Sequence, residues 1–186
     1  EPNELIEAVT LRADRMRALR SLMVRDSLTG LYNHTTTTEL IENAIARARR
    51  QNEHLCLAMI DLDKFKLVND EYGHVMGDRV LVTLARLFRH RLRGNDIVGR
   101  YGGEEFAILL AETDQEAAQD LMDKLREDFS RIRFGGDEST FCCTFSAGIS
   151  GFPDCEDGEN LRIVADNALY AAKKAGRNRI VIGRSV

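Results

Sequence analysis

His54-Leu55-Cys56-Leu57-Ala58-Met59-Ile60 runs apolar almost without interruption and then meets Asp61-Leu62-Asp63-Lys64-Phe65-Lys66. An unbroken apolar run of this length predicts a strand covered on both faces rather than one with a wet side. Working outward, an amphipathic helix precedes it: Thr36-x-x-Glu39 has the spacing of a capping box ahead of Leu40, Ile41, Ala44, Ile45 and Ala48. After it a helix is expected from near Asp78, with Leu81, Leu84, Leu87, Phe88 and Leu92 on one side. Asp96 to Tyr101 and Phe106 to Leu110 read as two strands of a hairpin closed at Gly102-Gly103. A helix from about 115 to 131, a strand over 141–149, a helix over about 159–174 and a short strand over 179–182 complete the chain.

From residue 54 the order is therefore β-α-β-β-α-β with an added helix and strand, the ferredoxin-like pattern. We expect an α+β fold with the sheet on one side and helices on the other. Leu5, Val9, Met16, Leu19 and Met23 fall at alternating spacings of four and three, with Arg12 in the missing position. Residues 1–25 thus predict a linker helix with a heptad seam, either a parallel coiled coil or a helix packed on its own domain. Residues 26–186 form one domain.

Composition narrows the function classes. The 186 residues are 44% hydrophobic and 30% charged, with a net charge of −4. That balance gives no basic face for nucleic acid. No apolar run approaches the roughly 20 residues of a membrane span, and no signal peptide pattern is present. The chain starts at Glu1 and reads as a fragment of a longer protein. The four cysteines lack metal-ligand or redox spacing. Neighbouring Cys142 and Cys143 should point to opposite faces of a strand and serve packing.

Two acidic clusters carry the chemistry. Carboxylates at the end of a buried strand, Asp61 and Asp63, are costly to pack and well placed for a hard cation, although they would also serve as strand-end solubilisers. Tyr101-Gly102-Gly103-Glu104-Glu105-Phe106 places two further acids after a double glycine, where a ligand can approach the backbone closely. Taken alone this is also the composition of a solvated turn.

Together the clusters resemble the GGDEF domain of bacterial diguanylate cyclases. The resemblance rests on Asp61-x-Asp63-x-Phe65-Lys66-x-x-Asn69-Asp70, Gly73-His74-x-x-Gly77-Asp78 and Gly102-Gly103-Glu104-Glu105-Phe106. It extends to Asp26-x-Leu28-Thr29-Gly30-Leu31-Tyr32-Asn33, to Ser146-Ala147-Gly148-Ile149 and to Ala168-Leu169-Tyr170-x-Ala172-Lys173-x-x-Gly176-Arg177-Asn178. It covers about residues 26–183. His34 departs from the family's frequent arginine, outside the metal and base positions.

The resemblance implies a palm-type fold related to class III nucleotidyl cyclases, and condensation of two GTP into cyclic di-GMP with release of two pyrophosphates. It implies Mg²⁺ (or Mn²⁺) held by Asp61, the Leu62 carbonyl and Glu104, with Glu104 or, less well placed, Glu105 assisting deprotonation of the 3′-hydroxyl. Asp63 is expected to give structural or indirect support. Asn69 and Asp78 match the guanine-reading positions, and an amide with a carboxylate suits guanine's donors and acceptor. Asp78 also reads as the N-cap of the next helix. His74 would line the same pocket. Lys66, Lys173 and Arg177, with backbone N–H groups at Lys64 and Phe65, are the implied phosphate clamps; Lys173 and Arg177, four apart, would share a helical face. Lys174 should face solvent. Arg93-Gly94-Asn95-Asp96 matches the family's inhibitory Arg-x-x-Asp site for cyclic di-GMP, and it is also ordinary loop composition. Two facing domains, hence a homodimer, are needed for a product with two guanosines. The expected location is the cytoplasm, without membrane or nucleic-acid contact in this fragment. A non-catalytic module that senses GTP or cyclic di-GMP is the alternative.

Overall fold

A computed structural model describes residues 24–136 and 139–184. The heptad seam from Leu5 to Met23 lies outside the described residues. At the centre stands strand β1 (Leu55–Leu62), every residue of it buried. It pairs antiparallel with β3 (Glu105–Ala111) on one side and β6 (Phe145–Phe152) on the other. Strand β2 (Ile97–Arg100) forms a hairpin with β3, and β7 (Ile180–Ile182) runs parallel to β6, giving the order β2-β3-β1-β6-β7. The βαββαβ core with one added helix and strand is thus the observed fold.

Helices cover both faces of the sheet, which corrects the one-sided arrangement expected above. Cys56, Ala58, Ile60 and Leu62 face a cluster with Phe88 and Phe129, from α3 (His74–Arg91) and α4 (Gln115–Ser130). Leu55, Leu57 and Met59 face Ile45, Leu161 and Ala165, from α1 (His34–Gln51) and α5 (Gly158–Lys174). The physical reason was present in β1 itself: a strand apolar on both faces must be covered on both. Helix α5 sits unusually close to β6. A Cβ on Gly148 would lie 2.1 Å from the Ala165 carbonyl oxygen and 2.2 Å from the Leu169 nitrogen, so only glycine admits the helix that carries Lys173.

Several boundaries differ from the sequence reading. Helix α1 starts at His34 because Asn33 is its cap, accepting from the Thr36 N–H at 3.0 Å; the Thr36-x-x-Glu39 box lies inside the helix. Residues Phe65–Tyr72 form a separate short helix, α2, and α3 begins directly after Gly73. Asp78 therefore lies a turn inside α3 and is not its N-cap. The strand expected over 141–149 is divided, with β5 (Thr140–Cys142) pairing with β4 (Arg133–Gly135) before β6 begins. Cys142 is exposed and Cys143 buried, and burial pushes the Cys143 thiol up to about 11 and the Cys56 thiol to about 12. Both stay protonated and pack as expected.

Candidate active site

Strand β1 extends two residues past its expected end, which takes Asp61 into the sheet with only 6% of its surface exposed. Its register partner on β3 is Glu105, and the Leu62 N–H donates to the Glu104 carbonyl at 3.3 Å. The catalytic candidates of the two acidic clusters are thereby brought to one end of the adjoining strands by ordinary ladder pairing. Lys173, at the C-terminal end of α5, places Nζ 2.8 Å from Asp61 Oδ2.

Burial pushes the Asp61 carboxyl up; Lys173 pulls it back, Asp63 pushes it further up and Arg177 opposes that. Glu104 is likewise raised, first by burial and then by the Asp61 charge, with Lys173 opposing and Glu105 adding. Two buried carboxyls, each raised further by a neighbouring carboxylate (Asp61 by Asp63, Glu104 by Asp61), mark a place where a cation would relieve the repulsion. Among the described residues no three His, Cys, Asp or Glu side chains converge on one point. Two carboxylates and the Leu62 carbonyl still suit Mg²⁺, which keeps several waters and completes its shell with substrate phosphate.

The hairpin tip is a four-residue loop, wider than the tight turn expected. Tyr101 and Gly102 both donate their N–H to the Glu105 carbonyl, at 2.8 and 3.1 Å. Glu105 folds its side chain over Gly102, where a Cβ would meet its carboxylate at 2.3 Å. Arg100 braces the tip: Nη2 and Nε donate to the Gly103 carbonyl at 2.7 and 3.2 Å, while Nη1 pairs with Asp26 at 3.2 Å. Burial pushes Asp26 up, but the Thr29 hydroxyl and N–H with Arg100 outweigh it and leave that carboxyl below its usual value. His34, the departure from the family pattern, packs its ring 4.2 Å from that of Tyr101. It is a packing contact beside the loop.

Helices α2 and α3 position the base-reading candidates. Asn69 accepts the Gly73 N–H through its carbonyl at 2.9 Å. Its side chain lies against Gly77, where a Cβ would sit 2.0 Å from Oδ1. That contact brings Asn69 to the start of α3 beside Asp78; His74 and Asp78 are both exposed there. Lys64 adopts a left-handed conformation (φ 56°) ahead of α2, whose first-turn N–H groups have no partner within the helix. Lys64 and Lys66 are exposed, while the Phe65 ring is buried in the core, leaving its backbone for any ligand.

Lys173 and Arg177 do not share a helical face. Helix α5 ends at Lys174, and Arg177 lies in the following turn with φ 65°. Arg177 nevertheless acts on Asp61 electrostatically, so the turn keeps both cations at the acidic site. Lys174 is exposed, as expected, and lies over the Tyr170 ring at 4.6 Å. Asp63 is held by the hydroxyls of Thr144 and Ser146 and by the Asn178 N–H. Ser146 and Asn178 lie in quoted motifs but without this role, and Thr144, like the role of Arg100, has no sequence signal, since no periodicity or spacing reports a contact between distant loops.

Arg93 and Asp96 lie apart from this site, on a cavity of about 330 Å³ also lined by Arg91, Glu112 and Asp114. Asp96 accepts from the Arg93 N–H at 2.9 Å and the Ala111 N–H at 3.2 Å, so its carboxylate also serves the loop's own backbone.

The family described as diguanylate cyclase, GGDEF domain, matches residues 23–179. A diguanylate cyclase of Pseudomonas aeruginosa, DgcP, is 42% identical over 163 residues, which are 88% of this chain and 24% of that protein. A diguanylate cyclase of Vibrio cholerae is 39% identical over 168 residues, 89% of this chain and 51% of its own length. The chain thus spans between a quarter and a half of these relatives. Among solved structures, the coiled coil and GGDEF domain of Caulobacter crescentus DgcB, in complex with c-di-GMP, superposes with a TM-score of 0.89 at 28% identity, covering 98% of this chain and 96% of that one. The active GGEEF domain of a Vibrio cholerae diguanylate cyclase gives 0.78 at 37% identity, covering 83% and 98%. Because the family match takes in helices α1 to α5 and strands β1 to β6, this chain belongs to the GGDEF domain family.

Proposed function

We propose that this domain is a diguanylate cyclase that condenses two GTP into cyclic di-GMP and releases two pyrophosphates. The observation that carries this reading is the strand end at which Asp61 and Glu104 come together, both pushed up by burial and Glu104 further by the Asp61 charge, with Lys173 on Asp61. The likeness to named cyclases supports it.

Asp61, the Leu62 carbonyl and Glu104 would hold Mg²⁺ (or Mn²⁺), which when bound neutralises phosphate charge and acidifies the attacking 3′-hydroxyl. Asn69 and Asp78 read the guanine edge, with His74 lining the same pocket, and leave polar groups unpaired against adenine. The backbone N–H groups of Lys64, which precedes α2, and of Phe65, which opens it, with Lys66, Lys173 and Arg177, hold the phosphates. Lys173 serves as the counter-cation of Asp61 while the site is empty of substrate and turns to phosphate when it fills. Glu104, with Glu105 beside it, accepts the hydroxyl proton. One guanine site per chain requires two domains to face each other, so the active form is a homodimer, aided by the helix expected over residues 1–25. Arg93 and Asp96 take cyclic di-GMP as inhibitor; the c-di-GMP complex of the DgcB domain is consistent with a product-binding surface on this fold.

Incubation with GTP and Mg²⁺ followed by separation of nucleotides tests the reading. Cyclic di-GMP and pyrophosphate should accumulate in a ratio of one to two, as the stoichiometry requires. Nucleotide binding without any product, in folded and concentrated protein, would contradict it.

A further inference from the structure

Asp63 is a buried carboxylate, 9% exposed, and no Lys or Arg pairs with it among the described residues. A charge so placed is costly unless hydrogen bonds satisfy it. They do. Oδ1 accepts the Ser146 hydroxyl at 2.7 Å, and Oδ2 accepts the Thr144 hydroxyl at 2.7 Å and the Asn178 N–H at 3.0 Å. The Asp63 N–H donates to the Thr144 carbonyl at 2.9 Å. Both oxygens are engaged, so the residue is occupied with the protein rather than offered to a ligand.

The third partner is informative. Arg177 and Asn178 are consecutive non-glycine residues in the left-handed region, with φ 65° and 48°. Such a pair persists only where its surroundings fix it. The Arg177 N–H is fixed by the Ala172 carbonyl at 3.1 Å, and the Asn178 side chain accepts from Arg126 of α4 at 3.0 Å. The Arg177 carbonyl accepts from Arg179 Nε at 3.1 Å, and the tie that reaches across to the end of β1 is the Asn178 N–H on Asp63. Asp63 itself precedes Lys64, the left-handed residue that opens α2.

We infer that Asp63 is a positioning residue that places the Arg177 guanidinium, by holding the backbone of the turn just beyond it, at the site where phosphate is bound. The inference rests on the reading of Arg177 as a phosphate clamp. One buried charge then ties together the end of β1, the start of β6 and the α5–β7 turn, and fixes the guanidinium's distance from the first N–H groups of α2.

A double-mutant cycle tests this, using the affinity of a GTP analogue whose α,β-bridging oxygen is a methylene, so that pyrophosphate cannot depart. Asp63→Asn keeps the shape but presents one acceptor oxygen in place of two, and should weaken the analogue about tenfold, as expected for loss of a charge-assisted contact. Arg177→Ala should weaken it by at least as much. The double variant should bind no worse than Arg177→Ala alone, because a residue that acts through Arg177 has nothing left to position. With GTP, Asp63→Asn should raise KM by a similar factor while kcat at saturation changes far less; a generally loosened fold would lower kcat as well. If Asp63→Asn does not fold, Thr144→Val, which removes one donor from Oδ2, runs the same cycle with the same non-additivity. Factors that multiply in the double variant overturn the inference, and so does an Asp63→Asn protein that binds like the original while Arg177→Ala is weakened. Should Arg177→Ala itself bind unchanged, the phosphate reading of Arg177 fails and the inference falls with it.

Discussion

Replacing Lys173 with Met removes the counter-cation of a carboxylate inside the sheet. Two unit charges 2.8 Å apart attract by about 6 kcal/mol at an effective dielectric of about 20, before any cost of desolvating them. Breaking a buried pair costs roughly 3–5 kcal/mol when one charge is left alone. Lys173 keeps 32% of its side chain exposed and Asp61 only 9%, so partial screening of the lysine brings the expected loss to about 2–3 kcal/mol. In a domain of this size that lowers Tm by roughly 4–12 °C. The pH dependence follows from Asp61. Its folded pKa lies above the unfolded value because burial outweighs Lys173. This carboxyl therefore favours the folded state in acid, and that contribution is lost as pH rises through the folded pKa. Lys173 limits the loss by stabilising the ionised form, and without it the folded pKa climbs further. Thermal melts in EDTA should thus separate the two proteins most at neutral to alkaline pH, and the gap should close in acid, where Asp61 is protonated in both. Mg²⁺ should narrow the gap at high pH by taking the lysine's place. Equal Tm values in EDTA at neutral pH, or a gap that does not change with pH, would refute the assignment of this ion pair.

Glu104→Gln keeps the hairpin but removes one negative ligand, and should lower product formation by roughly 10²- to 10³-fold in a GTP turnover assay. Mn²⁺ affinity, measured by calorimetry between about pH 5 and pH 8, should rise with pH, because the raised Asp61 and Glu104 carboxyls must lose their protons to bind it; a flat profile would speak against these ligands. Gly148→Ala drives a methyl into the backbone of α5 and should destabilise the fold by about 1–3 kcal/mol, read as a lower urea midpoint. Arg93→Ala should leave the initial rate with GTP nearly unchanged while raising the concentration of cyclic di-GMP needed for inhibition about 5- to 150-fold; identical inhibition of both proteins would reduce that loop to a structural connection.

The central strand was legible because its unbroken apolar run has a single economical reading, and the order of the main elements followed from periodicity and the glycine turn, while the short α2 and the β4–β5 pair did not. The same apolar run also predicts the strand's two-sided cover, in conflict with the one-sided layering of the simplest ferredoxin-like pattern, and the helices on both faces decide for the run. Local competition decided the helix starts: Asn33 captures the Thr36 N–H ahead of the capping box, and Gly73 breaks the chain into α2 and α3 with both ends near one another. Spacing misled at the Thr36-x-x-Glu39 box and again at Lys173 and Arg177, which are four apart although the helix ends at Lys174 and a left-handed turn intervenes. Asp61, Asp63 and Glu104 were visible as acids beside a strand end and a double glycine. What each of them touches was not. The hydrogen bonds of Asp63 reach from residue 63 to residues 144, 146 and 178, and the Arg100–Asp26 pair spans the chain from its first described turn to the hairpin. Such contacts are products of the completed sheet and have no local signature.

The most direct test of the account is the rate of cyclic di-GMP formation per chain from GTP and Mg²⁺, measured over a wide range of protein concentration with Asp61→Asn alongside. The account predicts a rate per chain that rises with concentration and levels off as paired domains saturate, and an Asp61→Asn protein that melts as a folded domain yet makes almost no product. A rate independent of concentration in protein shown to be monomeric, or full activity in Asp61→Asn, would contradict it.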